Sequence, residues 1–268
     1  MSPNSKLFKT GLLLLALALF LGGCRKDNDE WDNRTADEMY AEAKAYLEKN
    51  NWRGAVRTYR ELQTRYPFGR YAEQAQLEMA YAFYRAGQPE LALSTADRFI
   101  RMYPAHPNLD YAFYIRGLTN YDQRIGFLEK LMPDRVRDRD QSVALEAFRD
   151  FDQLTRRFPD SRYAPDARQR MVYLRNAMSA YEIDVANYYL RRKAYVAAAN
   201  RARYLLETYP GSPEAGNALV VLNKAYNELD LPQLADDSMR VLEHNNPQHP
   251  YLTGEDDEGF FSKIWPFD

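Results

Sequence analysis

The residues able to do chemistry are few in this chain of 268 residues, which has one cysteine, Cys24, and three histidines, His106, His244 and His249. A lone thiol forbids an intramolecular disulfide and any Cys-based structural zinc site. His106 lies between Pro104 and Pro107, and His244 and His249 flank Pro247. None sits in a carboxylate–His cluster of metal-ligand spacing, so all three read as turn residues. No Gly-rich phosphate loop and no nucleophile elbow occurs. Carboxylates are abundant, with Asp+Glu 38 against Lys+Arg 36. On amphipathic helices such charges are solvated faces, and pairing two of them for acid–base work is arbitrary. A net charge of −2 with alternating signs leaves no stripe for nucleic acid. The residues therefore point away from an enzyme, a metal and a cofactor.

The chemistry of Cys24 lies in its position. Lys6 and Lys9 precede an aliphatic run from Gly11 to Leu21, which ends in Leu21-Gly22-Gly23-Cys24. A basic stretch, a short apolar run and small residues before a cleavage point make a secretory signal. The run is too short for a membrane span, which needs about 20 residues. The last four residues resemble the bacterial lipobox, whose Cys carries N-acyl and S-diacylglycerol chains and becomes the first residue of the mature protein. Several acyl chains anchor stably where one does not. Arg25, where inner-membrane lipoproteins often carry Asp, resembles the outer-membrane class. The expected layout is a signal peptide over 1–23, then a lipidated Cys24 and a flexible tether over 24–34. The body would be anchored to the outer membrane and would face the periplasm.

The elements that position everything else repeat. Hydrophobic residues make up 46% of the chain, which excludes wholesale disorder, while 12 Gly against 21 Tyr and 13 Phe favours helices packed on helices. Tyr66-Pro67, Tyr103-Pro104, Phe158-Pro159 and Tyr209-Pro210 are four aromatic-Pro pairs, and Asn246-Pro247 is a degenerate fifth. Twelve residues before each Pro stands Ala: Ala55, Ala92, Ala147, Ala198 and Ala235. Five before each stands a large apolar residue: Leu62, Phe99, Leu154, Leu205 and Leu242. Further upstream, Ala43, Ala80 and Ala186 align, as do Tyr46, Phe83, Tyr189 and Tyr226. Small and large residues at fixed helical offsets let two antiparallel helices approach, and Pro ends the second. This is the tetratricopeptide (TPR) pattern. The expected fold is an all-α, TPR-like solenoid of five helix pairs, at about 36–67, 71–104, 108–159, 163–210 and 213–247. Thr35-Ala36-Asp37-Glu38 reads as a capping box. Ser212-Pro213 and the Pro165 region read as caps with Pro at the first helical position.

Two repeats are long. In the third, the extra residues fall around Ile125 to Asp140 and read as a protruding loop with a mixed-charge run, Asp134 to Asp140, either solvated or in contact with a partner. In the fourth, Gln169 to Arg192 lacks Gly and Pro, so its first helix is expected to be extended by several turns. After Pro250 the pattern breaks, and 251–268 reads as an acidic and aromatic tail, either disordered or an aromatic peptide that docks on a partner.

Particular strings go beyond generic repeats. They include Asn51-Trp52-Arg53, Arg65-Tyr66-Pro67-Phe68-Gly69-Arg70-Tyr71, Asp97-Arg98-Phe99-Ile100-Arg101 and Arg116-Gly117-Leu118-Thr119-Asn120. Later come Phe148-Arg149-Asp150-Phe151, Tyr188-Tyr189, and Ala194-Tyr195-Val196-Ala197 with Asn200-Arg201. With the lipobox, this ordered set resembles the BamD (ComL) family, lipoproteins of the outer-membrane β-barrel assembly machinery. The tail from about Tyr251 is longer and more acidic than that family's.

The resemblance implies a non-enzymatic adaptor. Its C-terminal repeats would bind a POTRA domain of the barrel subunit BamA, with Arg201, Asn200 and Tyr195 as the matching contacts. Its N-terminal repeats would receive the C-terminal targeting strand of unfolded outer-membrane barrel clients. BamC and BamE would be further partners where present, and nucleic acid would not. A groove for an aromatic, carboxylate-ended strand needs rings and a cation, and Phe68, Arg70, Tyr71 and Arg98 are the candidates. Tyr59 is expected in the core instead. Arg201→Glu is expected to weaken BamA association with the repeats intact. Another periplasmic TPR lipoprotein, a secretin pilotin or pilus-assembly factor, would share the lipobox and the periodic Ala but not these strings. A murein enzyme would need a catalytic domain for which no stretch outside the repeats is long enough.

Overall fold

The computed structural model describes residues 33–129 and 141–254. The signal peptide, Cys24, the run from 134 to 140 and residues 255–268 lie outside the described residues. Ten helices form five antiparallel pairs: α1 (Ala36–Glu48) with α2 (Trp52–Arg65), α3 (Arg70–Arg85) with α4 (Pro89–Met102), α5 (Leu109–Glu129) with α6 (Gln141–Arg157), α7 (Ala164–Arg191) with α8 (Tyr195–Thr208), and α9 (Ala215–Glu228) with α10 (Pro232–Asn245). A one-turn helix, α11 (Pro250–Thr253), follows. Each helix packs on the next, and α1 also touches α3, α3 touches α5 and α7 touches α9. The first helices of neighbouring pairs thus line the inner side of a TPR-like solenoid.

Local sequence explains where each pair stops. The residue before Pro cannot hold the helical conformation without clashing with the ring. Tyr66, Tyr103, Tyr209 and Asn246 accordingly leave it, with φ between −121 and −146 and ψ between 56 and 73. Their N–H groups still bond the carbonyls of Leu62, Phe99, Leu205 and Leu242 at 2.7–2.9 Å, closing the last turn. Inside four of the pairs the chain reverses through one left-handed residue: Asn50 (φ 57), Gly87 (φ 68), Lys193 (φ 59) and Asp230 (φ 58). Each lies 17 residues before its Pro.

The aligned positions form the core. All five Ala, and all five large residues from Leu62 to Leu242, are fully buried, as are Ala43, Ala80 and Ala186. Burying each large side chain contributes about 1.5–3 kcal/mol. In the fifth pair Asn223 stands where Ala43, Ala80 and Ala186 align, and its amide donates to the Ala235 carbonyl at 3.1 Å.

Several expectations need correction. Ile125 to Glu129 continue α5 rather than form a loop. α9 begins at Ala215, because Ser212 to Ala215 first make a turn closed at 3.2 Å. Ser212 therefore does not cap the helix, and its hydroxyl is buried without a partner among the described residues. Pro165 sits one residue inside α7. The extension of that helix is as expected, at 28 residues. His244 is helical, in the last turn of α10. The tail does not begin at 251: Tyr251 and Leu252 pack on the core. His249 caps α11 by accepting from the Tyr251 N–H at 3.2 Å.

Candidate functional site

The N-terminal candidates split into two groups. Phe68 stands in the bend between α2 and α3 and is 90% exposed, the most exposed large apolar side chain described. Gly69 follows with φ 98, a conformation that leaves Phe68 projecting at the mouth of α3. Arg70 folds over Tyr71, with its guanidinium 4.8 Å from the ring centroid and a hydrogen bond of 3.0 Å to the hydroxyl. Tyr71 packs on Tyr40 at 5.5 Å, and Tyr40 on the buried Tyr59 at 5.7 Å. Phe68, Arg70 and Tyr71 thus share one edge: an exposed ring beside a cation braced by a second ring. Arg98 comes from the second helix of the pair. It lies on the exposed face of α4, its Nε donating to the Met102 sulfur at 3.4 Å.

The inner face carries aromatic residues that the sequence reading did not assign. Tyr81 of α3 meets Trp52 edge-on at 6.2 Å and Tyr111 of α5 at 6.5 Å. Tyr163 then stacks on Tyr111 at 5.1 Å and on Tyr114 at 4.6 Å. The hydroxyls of Tyr84 and Tyr114 donate to Asp122 at 2.5 Å and Asp166 at 2.7 Å. Burial, reinforced by Asp166, pushes the Tyr114 phenol up to about 12, so it stays a donor throughout the physiological range. The signal was available: Tyr81/Tyr84 and Tyr111/Tyr114 are i,i+3 pairs on first helices.

Three of the singled-out strings meet in one brace. Arg116 of α5 donates to Asp97 of α4 at 2.8 Å and binds Asp150 of α6 with a closest contact of 2.5 Å. Asn120 donates to the other Asp150 oxygen at 2.9 Å. Next to Arg116, Gly117 lets the buried Phe151 ring press directly on the α5 backbone. These residues hold the second and third pairs together, which is a structural task.

The C-terminal candidates all lie on α8 but face different ways. Arg201 points back to α7, its Nη1 3.1 Å from Glu182. Its side chain is 45% exposed, whereas that of Glu182 is 8% exposed. Tyr195 bonds Glu228 at the end of α9, which pushes its phenol pKa up. Asn200 is exposed and accepts from Arg203 at 2.9 Å. Asn200 shares an i,i+4,i+8 stripe with two exposed apolar residues, Val196 and Tyr204. On α10, the second helix of the next pair, Leu234 and Val241 are exposed as well. Among the described residues no group of His, Cys, Asp and Glu is arranged to hold a metal ion. Among them, too, no helix is long and apolar enough to cross a membrane.

The chain is thus a helical-repeat scaffold with an exposed ring at one end and an apolar outer stripe at the other. The family model described as "YfiO: Outer membrane lipoprotein" matches residues 32–241, and the chain belongs to that family. Relatives named "Outer membrane protein assembly factor BamD" align over most of its length. The one from Xylella fastidiosa is 42% identical, covering 95% of this chain and 85% of its own. The one from Neisseria gonorrhoeae is 42% identical over 90% and 93%. The one from Vibrio cholerae is 38% identical over 87% and 96%.

Proposed function

We propose that the protein is an adaptor in the assembly of outer-membrane β-barrel proteins, tethered through lipid on Cys24 and facing the periplasm. The observation that carries this reading is the pairing of family membership with two separated exposed surfaces on one continuous stack of helix pairs. The C-terminal surface would dock the BamA POTRA domain through Arg201, Asn200 and the apolar stripe of Val196 and Tyr204. Tyr195 would act from behind, by fixing α8 against α9. The N-terminal edge would take the targeting strand of an unfolded client. Phe68 offers a ring to the strand's terminal aromatic, and Arg70 a cation to its carboxylate. The work is positional, with no bond made or broken by the chain.

Co-purification of the lipidated protein from detergent-solubilised outer membrane tests the first surface. Recovery of BamA is expected, and its absence together with recovery of a secretin sinks the reading. Binding of a client-derived peptide ending in an aromatic residue tests the second. It should weaken about tenfold in Phe68→Ala, with no change in helix content. Cys24→Ser should abolish labelled-acyl incorporation, and normal acylation there would contradict the anchor.

A further inference from the structure

The Arg70–Tyr71 arrangement has a second copy. Arg-Tyr-Ala recurs at 162–164, where α7 begins, two first helices further along the stack. The geometry recurs with it. The Arg162 guanidinium lies 4.7 Å from the centroid of the Tyr163 ring and donates to its hydroxyl. In both copies the Ala is buried and the Arg is exposed. The stack uses the Ala for close approach, and it uses the Tyr163 ring, which rests on Tyr111 and Tyr114. It does not use the charge: among the described residues, Arg162 bonds Tyr163 and no carboxylate.

Side chains join the two copies. Gln74, about one turn after Tyr71, accepts from Asn108 at 3.2 Å, and Asn108 stands just before α5. Tyr111 of α5 then stacks on Tyr163 at 5.1 Å. In this middle pair Asp110 precedes the Tyr, so an acid stands where the flanking pairs have Arg. Its carboxylate accepts from the Ser161 hydroxyl at 2.5 Å and reaches Arg162 through its field. Along the edge the charges therefore read cation, acid, cation. Two interaxial steps of about 10 Å set Arg70 and Arg162 about 20 Å apart. That is the length of about six residues of extended strand. The complementary strand carries carboxylates at both ends of such a span and none midway.

We propose that Arg162 and Tyr163 form a second subsite for the client strand, taking an Asp or Glu side chain about six residues before the terminal carboxylate held at Arg70. This rests on the reading of the Phe68 and Arg70 edge as the seat of that terminus. An even spacing keeps the acid on the same face of the strand as the terminal ring. A guanidinium already laid over a ring loses little freedom when it pairs with a carboxylate.

The test uses the full chain and fluorescent peptides that end in Phe with a free carboxylate. Each carries a single Glu, stepped from three to eight residues before the end, and binding is read by anisotropy. Affinity should peak with the Glu about six residues back, and fall about fivefold when it is moved to three or changed to Gln. In Arg162→Gln all the peptides should bind alike with helix content unchanged, and Arg162→Lys should restore part of the preference. A preference that survives Arg162→Gln overturns the proposal, and so does the lack of any preference in the parent. Phe68→Ala keeps the two readings apart: it should weaken every peptide and leave the Glu preference in place. Weakening in Phe68→Ala without a Glu preference in the parent removes the second subsite and leaves the first. Failure of every peptide to bind removes both.

Discussion

Arg201→Glu looks like a clean probe of BamA docking until Glu182 is considered. The Arg201 Nη1 lies 3.1 Å from a carboxylate that is only 8% exposed, across the seam between α7 and α8. An exposed ion pair contributes about 0–1 kcal/mol. Removing one partner of a fully buried pair costs about 3–5 kcal/mol. A half-exposed cation on a nearly buried carboxylate falls between, so Arg201→Ala should destabilise by about 1–3 kcal/mol. Arg201→Glu should cost more, because it sets two carboxylates face to face. The charge reversal therefore mixes a lost contact with a loosened seam. Glu182→Gln/Arg201→Gln separates them, since two neutral amides can hydrogen-bond across the same gap. Urea denaturation should place this double variant within about 1 kcal/mol of the parent. BamA recovered by co-purification should remain low. If BamA returns together with stability, Arg201 positions α7 against α8 and is not a contact. If Arg201→Glu unfolds at the same urea concentration as the parent, the ion pair carries no weight.

Three further outcomes follow from the fold. A Cβ on Gly117 would sit 2.6 Å from Cε1 of the fully buried Phe151. In Gly117→Ala, overpacking of about 1–3 kcal/mol should offset or exceed the helix-propensity gain of about 1 kcal/mol, giving a net loss of up to about 2 kcal/mol in urea melts. Phe151→Leu in the same chain should recover part of the loss, and strictly additive effects would contradict the contact. Lys193 holds φ 59 where the second pair has Gly87. Lys193→Gly should stabilise by about 1 kcal/mol and raise the melting temperature by about 2–4 °C, and a lower melting temperature would refute the strain. At Asp166, partial burial opposes ionisation, but hydrogen bonds from Arg170 and Tyr114 win and hold the carboxyl below its ordinary value. A depressed folded-state value means stability present above the unfolded pKa of about 3.9 and lost as pH falls through the lower folded value. Asp166→Asn should thus trail the parent by under about 1 kcal/mol at pH 7, the carboxyl being partly exposed. The gap should close below about pH 3, and a gap independent of pH would rule out the linkage.

The residue pattern reached different depths in different places. Helix pairing was legible because its signals act within one repeat. Pro expels its neighbour from the helix, and Ala at one offset admits a partner helix. The exposure of Phe68 was legible from its place beside Gly69 in a turn. The local contact of Arg98 with Met102, one turn along α4, was not encoded in any string that named it. The strings around Asp97, Arg116 and Asp150 read as marks of a family, and their task became visible only when three helices brought them together. Arg201 was read as a free contact because its partner, Glu182, is 19 residues away on another helix.

By itself the sequence determined the repeat, its count, the points where helices end and the identity of the buried ladder. Those follow from steric rules that operate over a few turns of one chain. Only the tertiary structure decided which polar residues brace the stack, which aromatic residues line its inner face, and which arginines stay exposed. Those depend on what a neighbouring helix presents at each height. That height is set by the stacking of whole pairs, so no local spacing encodes it.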